Sequence, residues 1–290
     1  MKTTRTTWLK LAAALVLTAG ASLATAQTDE LRVGLIPSED AQAMIRSSQQ
    51  IIDQLAQKTG LKVRPFVAND YNGVIEALRS GKLDIAYLGP FSYVMAADIA
   101  NAEAFAVAVT KKTGKSAYHS QVITRADKGL DSIAKLKGKT FAFVDPSSTS
   151  GHLFPKAGLM AEGFDPDKHF SRVIFSGSHD ANIMAVVNGK VDGAAVADRI
   201  FDAAVAKGAV KASDFNVVWR SKPIPESPMV WRKSLDEATK KKVAAAMADI
   251  KDLPWGDQGV LNGFAPTSDA AYDVVRQTAK ALKLDLGRMK

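Results

Sequence analysis

Four hydroxyl side chains in succession, Ser147, Ser148, Thr149 and Ser150, followed by Gly151, stand in the stretch "DPSSTSGH" (145–152). An apolar run, "TFAFV", precedes it and a helix-like segment, "LFPKAGLMAEG", follows. Two readings fit these residue types. One serine can cap the helix while its neighbours make a turn. Alternatively, the free amides of the first helical turn, with their half positive charge, join the hydroxyls as donors to an oxyanion. Gly151 allows close approach to the backbone. The run contains no lysine or arginine, the nearest downstream being Lys156, and the chain lacks a Gly-x-x-x-x-Gly-Lys-Ser/Thr phosphate loop. Neutral donors suit a ligand with three oxygens that is held and then released.

Further residues could share such a site. Tyr71 donates through its phenol and His179 through a ring N–H; on type alone, each could equally be a half-buried ring or a neighbour of a cap. Tyr118 lies in "SAYHSQVI" and Ser227 in "PIPESPMVW", two segments that would cross between lobes and serve as hinge or cleft walls. Asp198 follows the strand-like "VDGAAVA", where a carboxylate either meets a ligand or caps the next helix, "DRIFDAAV". Ser150, His179 and Asp198 do not form a hydrolase triad by local pattern, because no Gly-x-Ser-x-Gly elbow surrounds any serine. His119, His152, His169 and His179 lack metal-binding spacing. Neither an enzyme nor a metal or other cofactor is expected.

These residues need a scaffold, and the pattern supplies one. Short apolar runs ("LRVGLI", "VRPFVA", "LDIAYLG", "FAVAVT"; then "QVITR", "TFAFVD", "RVIFSG", "VDGAAVA", "FNVVWR") alternate with helical stretches at 41–59, 72–80, 92–101, 151–162 and 181–188. That alternation predicts an α/β fold with largely parallel sheets. Residues 234–250 and 268–282 read as helix, with no strand signal after "MVWR", so the end of the chain is expected to be helical. An internal match carries more weight: "YNGVIEALRSGKLDIA" (71–86) overlays "HDANIMAVVNGKVDGA" (179–194) without a gap. Gly81 and Gly189 are natural residues for ending the two helices. A second overlay pairs "VGLIPS" (33–38) with "AFVDPS" (142–147). Two similar lobes follow, with a ligand cleft beyond the carboxyl ends of their strands. Tyr71 and His179 enter that cleft from opposite lobes.

Composition bounds the setting. Lys2, Arg5 and Lys10, the apolar stretch 11–23 and "ATA" (24–26) read as a secretory signal peptide cleaved near Ala26. Its uncharged run of about 16 residues falls short of a membrane span. It carries three of the eight excess positive charges, leaving five on a mature chain that fits an anionic partner. With no cysteine, the exported chain must be held by its core alone. The scattered lysines read as a solvated face rather than a nucleic-acid stripe.

The segments "DYNGVIEALRSGKLDIAYLGPFSYV", "DPSSTSGHLFP", "SGSHDANIMAV" and "PIPESPMVWRK" resemble, in succession, the phosphate/phosphite/phosphonate substrate-binding proteins of ABC transporters. The resemblance covers essentially the whole mature chain. It implies a type II periplasmic binding fold, with one lobe from 27–117 plus about 228–290 and the other from 118–227. It also implies a periplasmic location, a small phosphorus oxyanion as ligand, an inner-membrane permease as partner, and a monomer. The oxyanion is expected on Ser148, Thr149, Ser150, His179, Tyr71 and Tyr118, and Asp198 completes the expected ligand-binding set. In aminoalkylphosphonate binders of the family, carboxylates near the two later cleft segments hold the amine. Here Ser227 and Arg199 match those positions, which favours phosphite or a small alkylphosphonate. A ligand-sensing module for a membrane receptor would share the same pocket, and a secreted hydrolase is the other alternative.

Overall fold

The structure, a computed structural model, describes residues 29–114 and 116–288. The signal peptide expected over 1–26 lies outside the described residues. In the first half of the chain, β1 (Glu30–Leu35), β2 (Lys62–Val67), β3 (Ile85–Tyr87) and β4 (Ala102–Thr110) alternate with α1 (Ala41–Thr59), α2 (Tyr71–Arg79) and α3 (Pro90–Ala100). A short strand, β5 (Ala117–Tyr118), leads to β6 (Ser120–Arg125), β7 (Thr140–Phe143), α4 (Phe154–Ala161), α5 (Pro166–His169), β8 (Arg172–Phe175), α6 (His179–Val187), β9 (Gly193–Ala197), α7 (Asp198–Ala206) and β10 (Phe215–Arg220). The chain then returns through β11 (Ile224–Pro225) and β12 (Pro228–Arg232) to α8 (Glu237–Asp249), β13 (Leu261–Pro266) and α9 (Asp273–Ala281).

Two sheets result. One runs β13-β4-β12-β3-β1-β2 and the other β10-β6-β9-β7-β8, with β5 and β11 forming a two-stranded ribbon between them. Each sheet has a core of three parallel strands, β2-β1-β3 in one lobe and β8-β7-β9 in the other. The remaining strands pair antiparallel to their neighbours, so the expectation of largely parallel sheets holds only for those cores. The reason is the double crossing: β6 and β12, the strands that leave the ribbon, run against the core strands and β13 follows β12's direction through α8, whereas β4 and β10, reached through α3 and α7, keep the core direction. The strand β13 is also a correction, since the pattern predicts no strand after "MVWR". It lies at the sheet edge against β4, and its Asn262, Gly263 and Pro266 mask the alternation that marks a strand.

The internal repeat is structural. The helices α2 and α6 have equal length, are capped by the side chains of Asp70 and Ser178, and are followed by Gly81 and Gly189 at φ 70° and 64°. After each glycine, an aspartate grips the central strand. Asp84 accepts from the Arg32 N–H at 2.9 Å, and Asp192 accepts from the Thr140 N–H at 2.8 Å. Asp84 is fully buried and also holds the Arg32 and Arg232 guanidiniums. These clamps fix the length of each helix-turn-strand unit, and hence where Tyr71 and His179 stand.

Candidate functional site

Ser148 caps the turn that opens the α4 region, its Oγ accepting the Gly151 N–H at 3.1 Å. The first turn, Thr149–Leu153, is π-helical, and the amides of Thr149 and Ser150 take no partner among the described residues. Capping and a free donor pair therefore coexist. A Cβ on Gly151 would come within 2.4 Å of the Val144 side chain, so glycine there permits the backbone to pack on β7's exit. Ser147, Ser148, Thr149 and Ser150 are all buried. Thr149 Oγ1 accepts the Phe91 N–H of the opposite lobe at 2.8 Å, leaving its own proton free to donate. The Ser150 carbonyl accepts from Ser120 Oγ at 2.6 Å, which pins the turn to β6.

Tyr71 faces this run from the other lobe. Its hydroxyl is buried and finds no hydrogen-bond partner among the described residues. Burial, reinforced by the charge of Asp145, pushes the phenol well above its usual acidity range, while the Ser148 hydroxyl beside it acts the other way. Tyr118, on the ribbon, is pushed up to about 12, chiefly by burial; its hydroxyl faces Ser150 and Thr149. Both phenols are thus neutral donors at any ordinary pH.

His179, at the start of α6, accepts the Ala197 N–H on Nδ1 at 3.1 Å. Burial, with the positive charge of Arg199, lowers its pKa to about 3. A neutral ring whose Nδ1 accepts must carry its proton on Nε2, so it too is a donor. Its backbone N–H crosses the cleft to the Ser38 carbonyl at 2.9 Å. With Ser92 Oγ on the Ser147 carbonyl (2.9 Å), Ser147 Oγ on Asn72 Oδ1 (2.8 Å) and the Phe91–Thr149 bond, it holds the two lobes closed on each other.

Asp198 is built into a different group. Its oxygens take the His119 N–H (2.9 Å), the His119 ring (3.0 Å), the Arg220 guanidinium (2.6 Å) and the Arg199 N–H (2.8 Å). The structure therefore brings Ser148, Thr149, Ser150, Tyr71 and Tyr118 together, sets His179 in the same cleft, and uses Asp198 to tie α7 to β10.

The residue after it points inward. The Arg199 guanidinium lies 4.7 Å from the Tyr118 ring centroid, with Nε 3.4 Å from Glu226 Oε1, one terminal nitrogen on Asp257 and another 3.3 Å from Ser227 Oγ. Burial works against its charge, but Glu226 and the Tyr87 and Tyr118 phenols outweigh that, and its pKa rises. Sequence reasoning misses Glu226, Asp257 and Tyr87. A lone acid in the apolar, proline-rich "PIPESP" is a usable signal for Glu226, and the carboxyl end of "LDIAY" for Tyr87. Asp257, in "WGDQG", looks like any turn residue.

Known proteins resemble this chain along most of its length. The family described as "ABC transporter, phosphonate, periplasmic substrate-binding protein" matches residues 33–272. The "Phosphonates-binding periplasmic protein" of Escherichia coli (strain K12) is 34% identical over 262 residues, covering 87% of this chain and 77% of that protein. The "Phosphate-import protein PhnD" of Mycolicibacterium smegmatis is 30% identical, covering 86% of this chain and 84% of its own length. Among solved structures, a binding protein component of an ABC phosphonate transporter from Pseudomonas aeruginosa superposes with a TM-score of 0.81 at 29% identity, over 89% of this chain and 87% of that one.

Proposed function

The chain belongs to the periplasmic substrate-binding proteins of phosphonate ABC transporters, and on that premise we propose that its cleft binds phosphite or a small alkylphosphonate such as methylphosphonate for delivery to an inner-membrane permease. The observation that carries the ligand class is the buried, unpartnered Tyr71 hydroxyl facing the Ser148–Ser150 run across the cleft. A buried hydroxyl without a partner is costly, and an oxyanion between the two lobes relieves it. Ser148, Thr149 and Ser150 with two free amides would meet the oxygens from one lobe, Tyr71 from the other, Tyr118 from the ribbon, and His179 through Nε2–H.

Every one of these groups is a neutral donor. Each bond is worth only about 1 kcal/mol net, but exclusion of water on closure strengthens the set. A hydrogen or methyl on phosphorus asks for no partner, whereas the fourth oxygen of phosphate must find one or be crowded out. Asp198 has no direct place in this reading.

The reading takes one lobe as 27–117 with about 228–290 and the other as 118–227, supported by how the chain distributes its strands between the two sheets. It also takes the protein as a periplasmic monomer that lacks catalysis. A thermal-shift and calorimetric panel of phosphite, methylphosphonate, 2-aminoethylphosphonate and phosphate tests it. A micromolar ligand at thousandfold excess should stabilise the protein by about 4 kcal/mol. If none of the four moves the melting temperature, the proposal fails.

A further inference from the structure

Arg199 is the second residue of α7, and its side chain turns away from solvent to end where the two chain crossings meet the opposite lobe. Glu226 and Ser227 belong to the return crossing, Tyr118 to the outgoing one, and Asp257 to the turn Gly256–Gln258 beyond α8. The two carboxylates have side-chain exposures of only 3% and 8%. Glu226 also accepts from the Ser227 N–H at 2.8 Å and from Gln258 Nε2 at 3.3 Å. Two buried acids and an aromatic face make a cage for a cation, and in this chain the occupant is a side chain of the protein.

The cage adjoins the oxyanion donors. Tyr118 is the shared wall: the guanidinium lies over its ring, while its hydroxyl faces Ser150 and Thr149. A ligand whose phosphorus oxygens rest on the hydroxyl run would therefore extend its substituent toward the guanidinium. An ammonium arriving there would meet a like charge where little water screens it, and the place between the carboxylates is taken.

We propose that Arg199 sets the ligand class of the cleft by acting as a resident cation: it admits oxyanions with a short uncharged substituent and refuses those that end in an ammonium group. This rests on the reading of the cleft as a phosphorus-oxyanion site. Removing the guanidinium leaves Glu226 and Asp257 without their counter-ion, and a ligand's ammonium is the group that restores it.

The test is isothermal calorimetry with methylphosphonate, 2-aminoethylphosphonate and propylphosphonate, the last two having the same heavy-atom count and differing in charge. In the wild type, 2-aminoethylphosphonate should bind at least about tenfold more weakly than methylphosphonate. In Arg199→Ala that order should reverse, with 2-aminoethylphosphonate gaining far more than propylphosphonate; Arg199→Lys, which keeps a cation, should retain the wild-type order. The proposal is overturned if the wild type binds 2-aminoethylphosphonate as tightly as methylphosphonate. It is overturned equally if Arg199→Ala favours both longer ligands to the same extent, or if Arg199→Lys reverses the order. The wild-type comparison stands even if Arg199→Ala fails to fold. Wild-type protein that binds neither methylphosphonate nor phosphite would instead sink the oxyanion reading beneath it.

Discussion

The backbone N–H of Phe91 donates to Oγ1 of Thr149 at 2.8 Å, joining the start of α3 in one lobe to the hydroxyl run of the other. One hydroxyl thus accepts from a lobe and keeps its proton for a ligand, coupling closure to binding. Thr149→Val should lose both bonds and strand a buried N–H, weakening oxyanion affinity by roughly tenfold to a hundredfold. Thr149→Ser should retain most of it. Calorimetric titration of the pair with methylphosphonate checks this; equal losses in both variants would contradict it.

Tyr71→Phe should change two properties in opposite directions. Deleting the unpartnered hydroxyl should stabilise the ligand-free protein by about 1 kcal/mol, because an uncompensated buried group disappears. The same change removes a ligand donor and should weaken binding about tenfold. Urea denaturation without ligand, set beside titration with it, reads both effects; a loss of stability would count against the orphan assignment.

Stability should fall in acid through two buried imidazoles. His179 is lowered to about 3 and His152 to about 4, each chiefly by burial, against about 6.5 in an unfolded chain. Since the unfolded chain binds these protons first, their stabilising contribution is complete above about pH 6.5 and shrinks as pH falls toward 4 and then 3. Asp145, Asp180 and Glu39, raised chiefly by burial, oppose the trend because the folded state holds their protons longer. His152→Asn isolates one imidazole, its amide replacing the Nδ1 bond to the Pro146 carbonyl. The stability difference between pH 7 and pH 5 should narrow by about 2 kcal/mol in that variant. An unchanged difference in urea midpoints would refute the assignment.

Two glycine-to-alanine changes should separate stability from binding. In Gly151→Ala the new methyl falls 2.4 Å from Val144 and 2.7 Å from Ser148 Oγ, whereas in Gly158→Ala it falls 2.0 Å from Trp219. Both should cost about 1–3 kcal/mol by overpacking. Only Gly151→Ala displaces a ligand donor, so only it should lower methylphosphonate affinity in the folded fraction. Melting curves and titrations on both variants decide the point.

The two-lobed fold and half of the site are legible in the sequence because they rest on local chemistry. Tyr71 and His179 stand out through a gapless repeat whose glycines and aspartates fix the same helix-turn-strand unit twice. The hydroxyl run is recognisable because capping and anion binding use the same helix start. The weaker overlay of 33–38 on 142–147 needs one inserted residue. Asp84 and Asp192 clamp Arg32 and Thr140, so Pro37 matches Asp145, and Pro146 is one place further on. Asp198 and Arg199 show the limit: adjacent residues at a helix start project in different directions, and their spacing does not reveal which reaches the cleft. Asp257 is illegible because its importance depends on a partner 58 positions away. Antiparallel β12 and edge strand β13 are hidden for a related reason, since sheet order depends on contacts between distant segments.

The place of β12 between β3 and β4 has a kinetic consequence. Any fragment ending before Pro228 lacks the strand that joins the first three strands of its lobe to the fourth, so that sheet stays split until the far end of the chain is present. Long-range closure of this kind is slow, since the intervening loop must be ordered before it is rewarded. A chain growing from its N-terminus therefore completes its first lobe only once Pro228–Arg232 is present.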